Sequence, residues 1–216
     1  GWGYSEEKKG NAIALANTPN FNRLWKEYPH CTLGASEKWI GLPKGQIGGS
    51  EVGHLAIGAG TIVLQGLVQL SAAIDDGSFF KNKVLLDAVS NCKKNNSVLH
   101  LMGLVSDGGI HTMDTHLYAL LELAKREGLK KVVVHAFLDG RDTPPTSGVD
   151  HVRKLMAKMK ELSVGTIGSV IGRYYIMDRD KRWERLQVGY DLVVSGKGDL
   201  TDDPIQKMQE YYSQNI

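Results

Sequence analysis

The chain has 216 residues, of which 42% are hydrophobic and 23% are charged, and its formal net charge is +2. This composition is typical of a globular protein with a buried core, and the small charge argues against a nucleic-acid or membrane-surface partner. Cys31 and Cys92 belong to no CxxC or Cys/His cluster, which favours reduced thiols over a disulfide. Because we find neither an apolar run of transmembrane length nor a basic-then-apolar leader, we expect a cytoplasmic protein.

The first part of the chain, residues 1–64, is rich in Gly, Asn and Pro and has a predicted helix near Phe21 to Tyr28. It lacks several apolar strands of its own, so we interpret it as part of a domain. From about Gln65 the pattern changes to alternating helices and strands, and residues 65–216 are predicted to form a second domain.

A glycine-rich segment, residues 44–54, places one serine next to an acid and a histidine. The glycines before Ser50 allow a sharp turn and leave room for a bulky group at its hydroxyl. An apolar run over Val52 to Leu64 predicts a helix with Ser50 as its N-cap, where the helix dipole favours a phosphate or an alkoxide. A glycine-rich turn with a capping serine is the structural alternative. His54, on the same helix face, either orients this loop or packs against it.

Three short apolar runs, Ser97–Val105, Lys131–Leu138 and Gly165–Ile171, are predicted strands. Amphipathic helices at Asp114–Glu127 and Val149–Leu162 separate them. This alternation predicts an α/β fold with a parallel sheet. Further helices are expected over Gln65–Asp75, Asn82–Lys94, Asp178–Ser195 and Asp203–Tyr212.

Polar side chains follow each predicted strand, and we expect them to meet in one crevice at the carboxyl ends of the sheet. His111 follows the first strand, Arg141 and Asp142 the second, and Arg173 and Arg179 the third. Arginines bind phosphates or carboxylates through paired donors, and a histidine binds or protonates an oxygen near neutral pH. The pattern therefore indicates a small ligand with anionic groups and hydroxyls, such as a phosphorylated acid.

Several of the polar residues have a structural interpretation as well. Asp139 either contributes to the site or forms only turn hydrogen bonds around Gly140. His100 and His135 lie within strands, where hydrogen-bonded core histidines are expected. The P-loop, the GxGxxG fingerprint and the GxSxG elbow do not occur in the chain. A solvated helix face is expected for Lys181, Arg182 and Arg185.

Long segments of the chain closely resemble the cofactor-independent (2,3-bisphosphoglycerate-independent) phosphoglycerate mutases. The resemblance reaches from the start of the chain to about Ser195, and its motifs are long and occur in the same order. The matching segments are Ala16–Asn20, Gly41–Gln46, Ser50–His54, Ile57–Gly60, Leu99–Gly109, His135–Pro145 and Gly172–Arg185.

The resemblance implies a glycolytic enzyme that interconverts 3-phosphoglycerate and 2-phosphoglycerate through a phosphoserine intermediate. A transferase domain is inserted into an alkaline-phosphatase-like domain that holds two divalent metal ions, commonly manganese. Residues 1–64 would then be the first segment of the phosphatase-like domain, and residues 65–216 a C-terminally incomplete transferase domain. The family is usually monomeric, and its partner is the small-molecule substrate.

The resemblance also implies roles for single residues. Ser50 would accept the phosphoryl group and contact a metal ion. Substrate binding would fall to His111, Arg141, Asp142, Arg173 and Arg179.

This chain departs from the family pattern in length and in two residues. The other metal ligands lie outside it, so the transferring phosphate would lack its main counter-charge, and we expect this polypeptide alone to be inactive as a mutase. A non-catalytic phosphoglycerate-binding fragment or a degenerate copy stays open, as does a metal-dependent phosphatase that shares only the serine half. Gly49 replaces the usual asparagine beside the nucleophile, and Thr61 stands where arginine is frequent.

Overall fold

The computed structural model describes residues 2–214, and the chain divides into two compact units, with the boundary in the sequence between Val68 and Gln69. This boundary lies a few residues after the predicted one. The assignment of the units to a phosphatase-like and a transferase domain stays a prediction. Within the described residues, every helix is too short or too polar to span a bilayer.

The first unit is built from short helices. Its residues are mostly exposed, and Ile40 is one of the few that are buried. Helix α3 ends earlier than predicted, because Gly60 takes a left-handed conformation and caps it. The helices are α1 (Ala12–Leu15), α2 (Pro19–Glu27), a 3-10 turn (Glu37–Ile40) and α3 (Ser50–Ala59), followed by α4 (Gly66–Asp75), which crosses the boundary between the units.

The second unit is an α/β fold around a parallel sheet, as predicted. The three strands lie in the order β1 (Leu99–Val105), β2 (Val132–Leu138) and β3 (Thr166–Gly172), all parallel. In the register, the ends of β1, β2 and β3 lie side by side, so the loops that follow them leave from one edge of the sheet. The helices are a 3-10 turn (Ser78–Lys81), α5 (Lys83–Lys94), α6 (Asp114–Arg126), α7 (Gly148–Leu162), α8 (Arg173–Ile176), α9 (Trp183–Ser195) and α10 (Pro204–Ser213).

The core lies between the sheet and helices α5, α6 and α7. Val105 and Val134 of the sheet pack in one cluster with Leu121 of α6 and Leu155 of α7, and all four side chains are fully buried. Each such side chain contributes about 1.5–3 kcal/mol of hydrophobic stabilisation. This packing holds the carboxyl ends of the strands in fixed positions beneath the loops.

The two strand histidines differ from each other. His135 is buried and hydrogen-bonded to Ser169, with 2.8 Å between Nδ1 and Oγ, which confirms a satisfied core histidine. The same prediction is wrong for His100, which is exposed. Its Nδ1 lies 3.0 Å from Nε2 of His135. Alternation along β1 turns His100 away from the face that α5 and α6 cover.

The long helix predicted over Asp178–Ser195 is wrong in its first turn. Oδ2 of Asp178 accepts hydrogen bonds from the N–H groups of Asp180 (3.1 Å) and Arg182 (2.8 Å), and this competes with helix formation. Lys181 between them has a left-handed backbone, with φ of 60°. The chain therefore forms a turn over residues 177–182, and α9 begins only at Trp183.

Candidate active site

Ser50 is the first residue of α3, and Gly49 is the N-cap, so the predicted capping role of Ser50 is wrong by one position. The helix starts earlier because the N–H of Gly53 donates to the carbonyl oxygen of Gly49. Gly48 is required by a close approach, since a Cβ there would lie 1.7 Å from the carbonyl oxygen of Ala35. Ser50 is exposed, at the end of the helix where free N–H groups favour an anion.

His54 contacts Ser50 twice through one ring nitrogen. Nδ1 lies 2.6 Å from the carbonyl oxygen of Ser50 and 3.2 Å from its Oγ. A carbonyl oxygen only accepts, so the short contact requires that Nδ1 carries its proton. A protonated Nδ1 cannot take the proton of the Ser50 hydroxyl. Of the two roles that the sequence leaves open for His54, orienting the loop or packing against it, this hydrogen bond to the Ser50 carbonyl oxygen supports the first.

Asp139, at the end of β2, is the centre of the polar cluster in the second unit. Its side chain is 3% exposed. It accepts a hydrogen bond from the Ser106 hydroxyl (2.7 Å) and others from the N–H groups of Arg141 and Asp142. Burial by itself would raise the pKa of Asp139, but the hydrogen bonds from the Asp142 N–H, Ser106 and Arg173 hold that pKa below its usual value. Asp139 thus forms the predicted turn and also pairs with an arginine.

Arg173, the first residue of α8, lies between two carboxylates. Its NH1 donates to Asp139 Oδ1 at 2.8 Å and to Asp142 Oδ2 at 2.7 Å, and its side chain is 10% exposed. Burial alone would lower the pKa of Arg173, but these two hydrogen bonds raise it. The same Oδ2 of Asp142 lies 3.7 Å from His111 Nε2, an ion pair when the histidine is protonated. Arg173 and Asp142 therefore link the loops that follow all three strands.

Arg141 and Arg179 are exposed, and within residues 2–214 neither guanidinium forms an ion pair. Both line one large open cavity of the second unit, together with His111 and Arg173. The cavity also continues along β3, beyond the space that one small molecule needs. Among the three predicted site arginines, Arg141 and Arg179 offer positive charge to a ligand, since Arg173 is already balanced by two carboxylates.

The structure brings together five of the six predicted site residues: His111, Arg141, Asp142, Arg173 and Arg179. Ser50, the sixth, belongs to the first unit.

Sequence reasoning missed two contributors to this cluster. Ser106 is fully buried, donates to Asp139 and accepts from the N–H of Gly108. Arg185, expected on a solvated helix face, is only 23% exposed in its side chain and pairs with Asp178. Ser106 has a signal in the sequence, because it directly follows a strand. No signal in the sequence identifies Arg185, because its partners Asp178 and Tyr174 precede α9, the helix that carries it.

A divalent metal site is not complete in the described part of the chain. No group of three or more His, Cys, Asp or Glu side chains converges there in a way that would hold an ion. Ser50 offers one hydroxyl oxygen, whereas divalent cations are bound by several oxygen or nitrogen ligands. These residues by themselves do not fit the metal pair that the resemblance implies, and we derive no chemical step through it.

Comparison with known proteins decides the family. Residues 70–216 match the family model described as "BPG-independent PGAM N-terminus". The chain belongs to this family. A protein of Lachnoclostridium phytofermentans named 2,3-bisphosphoglycerate-independent phosphoglycerate mutase is 54% identical over 216 residues. A second, from Methanosarcina acetivorans, named 2,3-bisphosphoglycerate-independent phosphoglycerate mutase 2, is 55% identical over 201 residues, which are 93% of this chain.

The fold also matches that of a solved family member. The crystal structure of a Leishmania mexicana phosphoglycerate mutase at low cobalt concentration superposes with a TM-score of 0.76 and 31% identity, over 94% of this chain and 39% of that one. The chain spans 42% of the length of the Lachnoclostridium relative and 39% of the Methanosarcina one. The family model that this chain matches thus describes the N-terminus of the family, and the relatives are longer than the part that the chain covers.

Proposed function

We propose that this chain is the N-terminal part of an enzyme that interconverts 3-phosphoglycerate and 2-phosphoglycerate. Its arginine crevice, defined here as His111, Arg141, Asp142, Arg173 and Arg179, would hold the glycerate. The observation that carries the proposal is the convergence of these side chains at the carboxyl ends of the strands in a chain of this family. A place in cytoplasmic glycolysis belongs to the same proposal.

The charges of the crevice suit a phosphorylated acid. Asp139 and Asp142 more than balance Arg173, so these three groups attract no anion by themselves. Arg141 and Arg179 supply two guanidinium groups that pair with a carboxylate or a phosphate through parallel hydrogen bonds. Asp142 is left as an acceptor for a ligand hydroxyl.

In the proposed reaction, the Ser50 oxygen attacks phosphorus and the bond between phosphorus and the glycerate oxygen breaks. The glycerate stays bound to the arginines, and its other hydroxyl then recovers the phosphoryl group from the serine. Free N–H groups at the start of α3 would stabilise the transferred phosphate. Nδ1 of His54 donates to the Ser50 carbonyl oxygen, so it does not accept the serine proton, which ends on the glycerate oxygen that leaves phosphorus. Two divalent metal ions, with manganese expected, also belong to this proposal, and their ligands other than Ser50 would lie outside residues 2–214, where no group of three or more His, Cys, Asp or Glu side chains could hold an ion.

A second candidate function is phosphoglycerate binding without turnover. It is favoured by the lack of a three-ligand metal cluster in residues 2–214. The two candidates differ in one measurement on this 216-residue chain, the turnover of 3-phosphoglycerate with saturating manganese. A rate comparable to that of ordinary enzymes would refute the second candidate, and binding without turnover would support it.

Calorimetric titration with 3-phosphoglycerate, with and without manganese, tests the crevice. We expect saturable binding without the metal. The affinity for 3-phosphoglycerate should fall by about tenfold or more in Arg141→Ala and in Arg179→Ala, because each substitution removes a charge-assisted hydrogen-bonding group. Arg173→Ala should abolish binding, since it also leaves Asp139 and Asp142 facing the anion unpaired. Arg153→Ala is the control, because Arg153 is exposed on the surface of α7 and pairs there with exposed Asp150.

Two simpler ligands sharpen this test. Inorganic phosphate and glycerate each carry one half of the proposed ligand, so each should bind more weakly than 3-phosphoglycerate. Equal affinity for inorganic phosphate alone, or an affinity for 3-phosphoglycerate that Arg179→Ala leaves unchanged, would contradict the proposed crevice.

A further inference from the structure

Arg185 of α9 contacts the neighbours of two crevice arginines. Its guanidinium carbon lies 4.0 Å from the ring centroid of Tyr174, which follows Arg173 in α8. Its NH1 lies 3.7 Å from Oδ1 of Asp178, which precedes Arg179. One side chain therefore joins the helix that carries Arg173 to the turn that carries Arg179.

The turn at Asp178 depends on that carboxylate. Its side chain is 5% exposed, and Oδ2 accepts the N–H groups of Asp180 and Arg182. Oδ1 is the oxygen that faces Arg185. A buried carboxylate without a nearby positive charge is costly, so the ion pair with Arg185 stabilises the carboxylate in the position from which it holds the turn.

A second contact keeps α9 against α8. Gly189, one helical turn after Arg185, is buried, and a Cβ there would lie 2.9 Å from Cβ of Ile176. The glycine thus permits a close approach of the two helices. Arg185 and Gly189 lie on the same face of α9 and hold that face on α8.

We propose that Arg185 is a positioning residue of the arginine crevice, acting through Asp178 and Tyr174 on the orientation of Arg179. The inference rests on the proposed function, because it concerns how that crevice is preorganised. Arg185 also lines the cavity, but Tyr174 covers one face of its guanidinium and Asp178 pairs with its NH1, so both of these contacts are with residues that position the crevice arginines. Arg179 is exposed and forms no ion pair within residues 2–214, so its direction is set by the turn beneath it.

Hydrogen exchange tests the positioning role without any ligand. In the 216-residue chain, Arg185→Gln should accelerate exchange of the Asp180 and Arg182 amides by about fivefold or more, while the amides of β2 keep their rates. Arg185→Lys retains the charge but not the planar stacking on Tyr174, and it should restore part of the protection. Unchanged exchange in the turn would overturn the proposal.

A double-mutant cycle on binding of 3-phosphoglycerate then separates positioning from direct contact. Arg185→Gln should weaken binding by about fivefold in the wild-type background and cause no further loss in an Arg179→Ala background. Arg182→Gln removes a nearby exposed charge and should change affinity less than about twofold. Equal losses from Arg185→Gln in both backgrounds would show action independent of Arg179 and overturn the proposal. If the wild-type chain binds no 3-phosphoglycerate, the proposed function fails, and hydrogen exchange alone decides the role of Arg185.

Discussion

Replacing Asp139 should cost more stability than any surface change, because four donors converge on its buried carboxylate. These donors are the Ser106 hydroxyl, the N–H groups of Arg141 and Asp142, and the Arg173 guanidinium. Hydrogen bonds to charged groups contribute about 1.5–3 kcal/mol each, but water replaces part of the loss at the exposed loop, and Arg173 keeps its bond to Asp142. We therefore expect Asp139→Ala to lower the free energy of unfolding by about 3–4 kcal/mol.

Asp139→Asn removes the negative charge of the side chain and keeps its size and shape. The amide oxygen retains the acceptor at Oδ1, and the amide nitrogen donates to Ser106 in place of Oδ2. We expect a loss of about 1–2 kcal/mol in urea unfolding at about pH 7. Asp87→Asn on the exposed face of α5 is the control and should change the free energy of unfolding by less than about 0.5 kcal/mol.

The stability difference between wild type and Asp139→Asn should depend on pH, and the direction of that dependence follows from the pKa of Asp139. Because the pKa of Asp139 is lower in the folded than in the unfolded chain, its carboxylate contributes fully above the unfolded value of about 4. That contribution is lost as the pH falls through the folded pKa. The deficit of Asp139→Asn relative to wild type should therefore shrink below about pH 4. A deficit that stays constant from about pH 7 to about pH 3, or one no larger than that of Asp87→Asn, would refute the reasoning.

Two further substitutions and one thiol-labelling experiment test other parts of the structure. Gly49→Asn should raise the free energy of unfolding of the first unit by roughly a few tenths of a kcal/mol in urea unfolding, because a Cβ there meets nothing within 4 Å and asparagine caps a helix well. Gly189→Ala should lower the free energy of unfolding by about 1–3 kcal/mol, since its Cβ overlaps Ile176; a neutral result in thermal unfolding would contradict the close packing of α8 and α9. Cys31 is exposed and Cys92 is buried, so a thiol reagent should give one fast and one slow reaction in the native chain, and two equal rates would contradict that burial.

Local patterns in the sequence predicted most of the second unit. The three apolar runs became β1, β2 and β3 within one or two residues, because short β-branched segments between amphipathic helices have few other ways to bury their side chains. The predicted start of the helix over Asp178–Ser195 was wrong. The side chain of Asp178 accepts hydrogen bonds from backbone N–H groups in place of a helical turn, and helical periodicity in the sequence does not reveal this. Ser50 as N-cap was wrong for a smaller reason, since helix ends shift easily by one residue.

By itself the sequence determined the parallel α/β order of the second unit, and with it the edge of the sheet where polar loops gather. It did so because strand polarity and the alternation of apolar runs are local properties of the chain. Only the tertiary structure decided which polar side chains pair with one another at that edge. Asp139 meets Arg173 across 34 residues of sequence, and Arg185 returns from α9 to Asp178 and Tyr174. Such pairs depend on distances set by the packing of whole elements, which no spacing along the chain encodes.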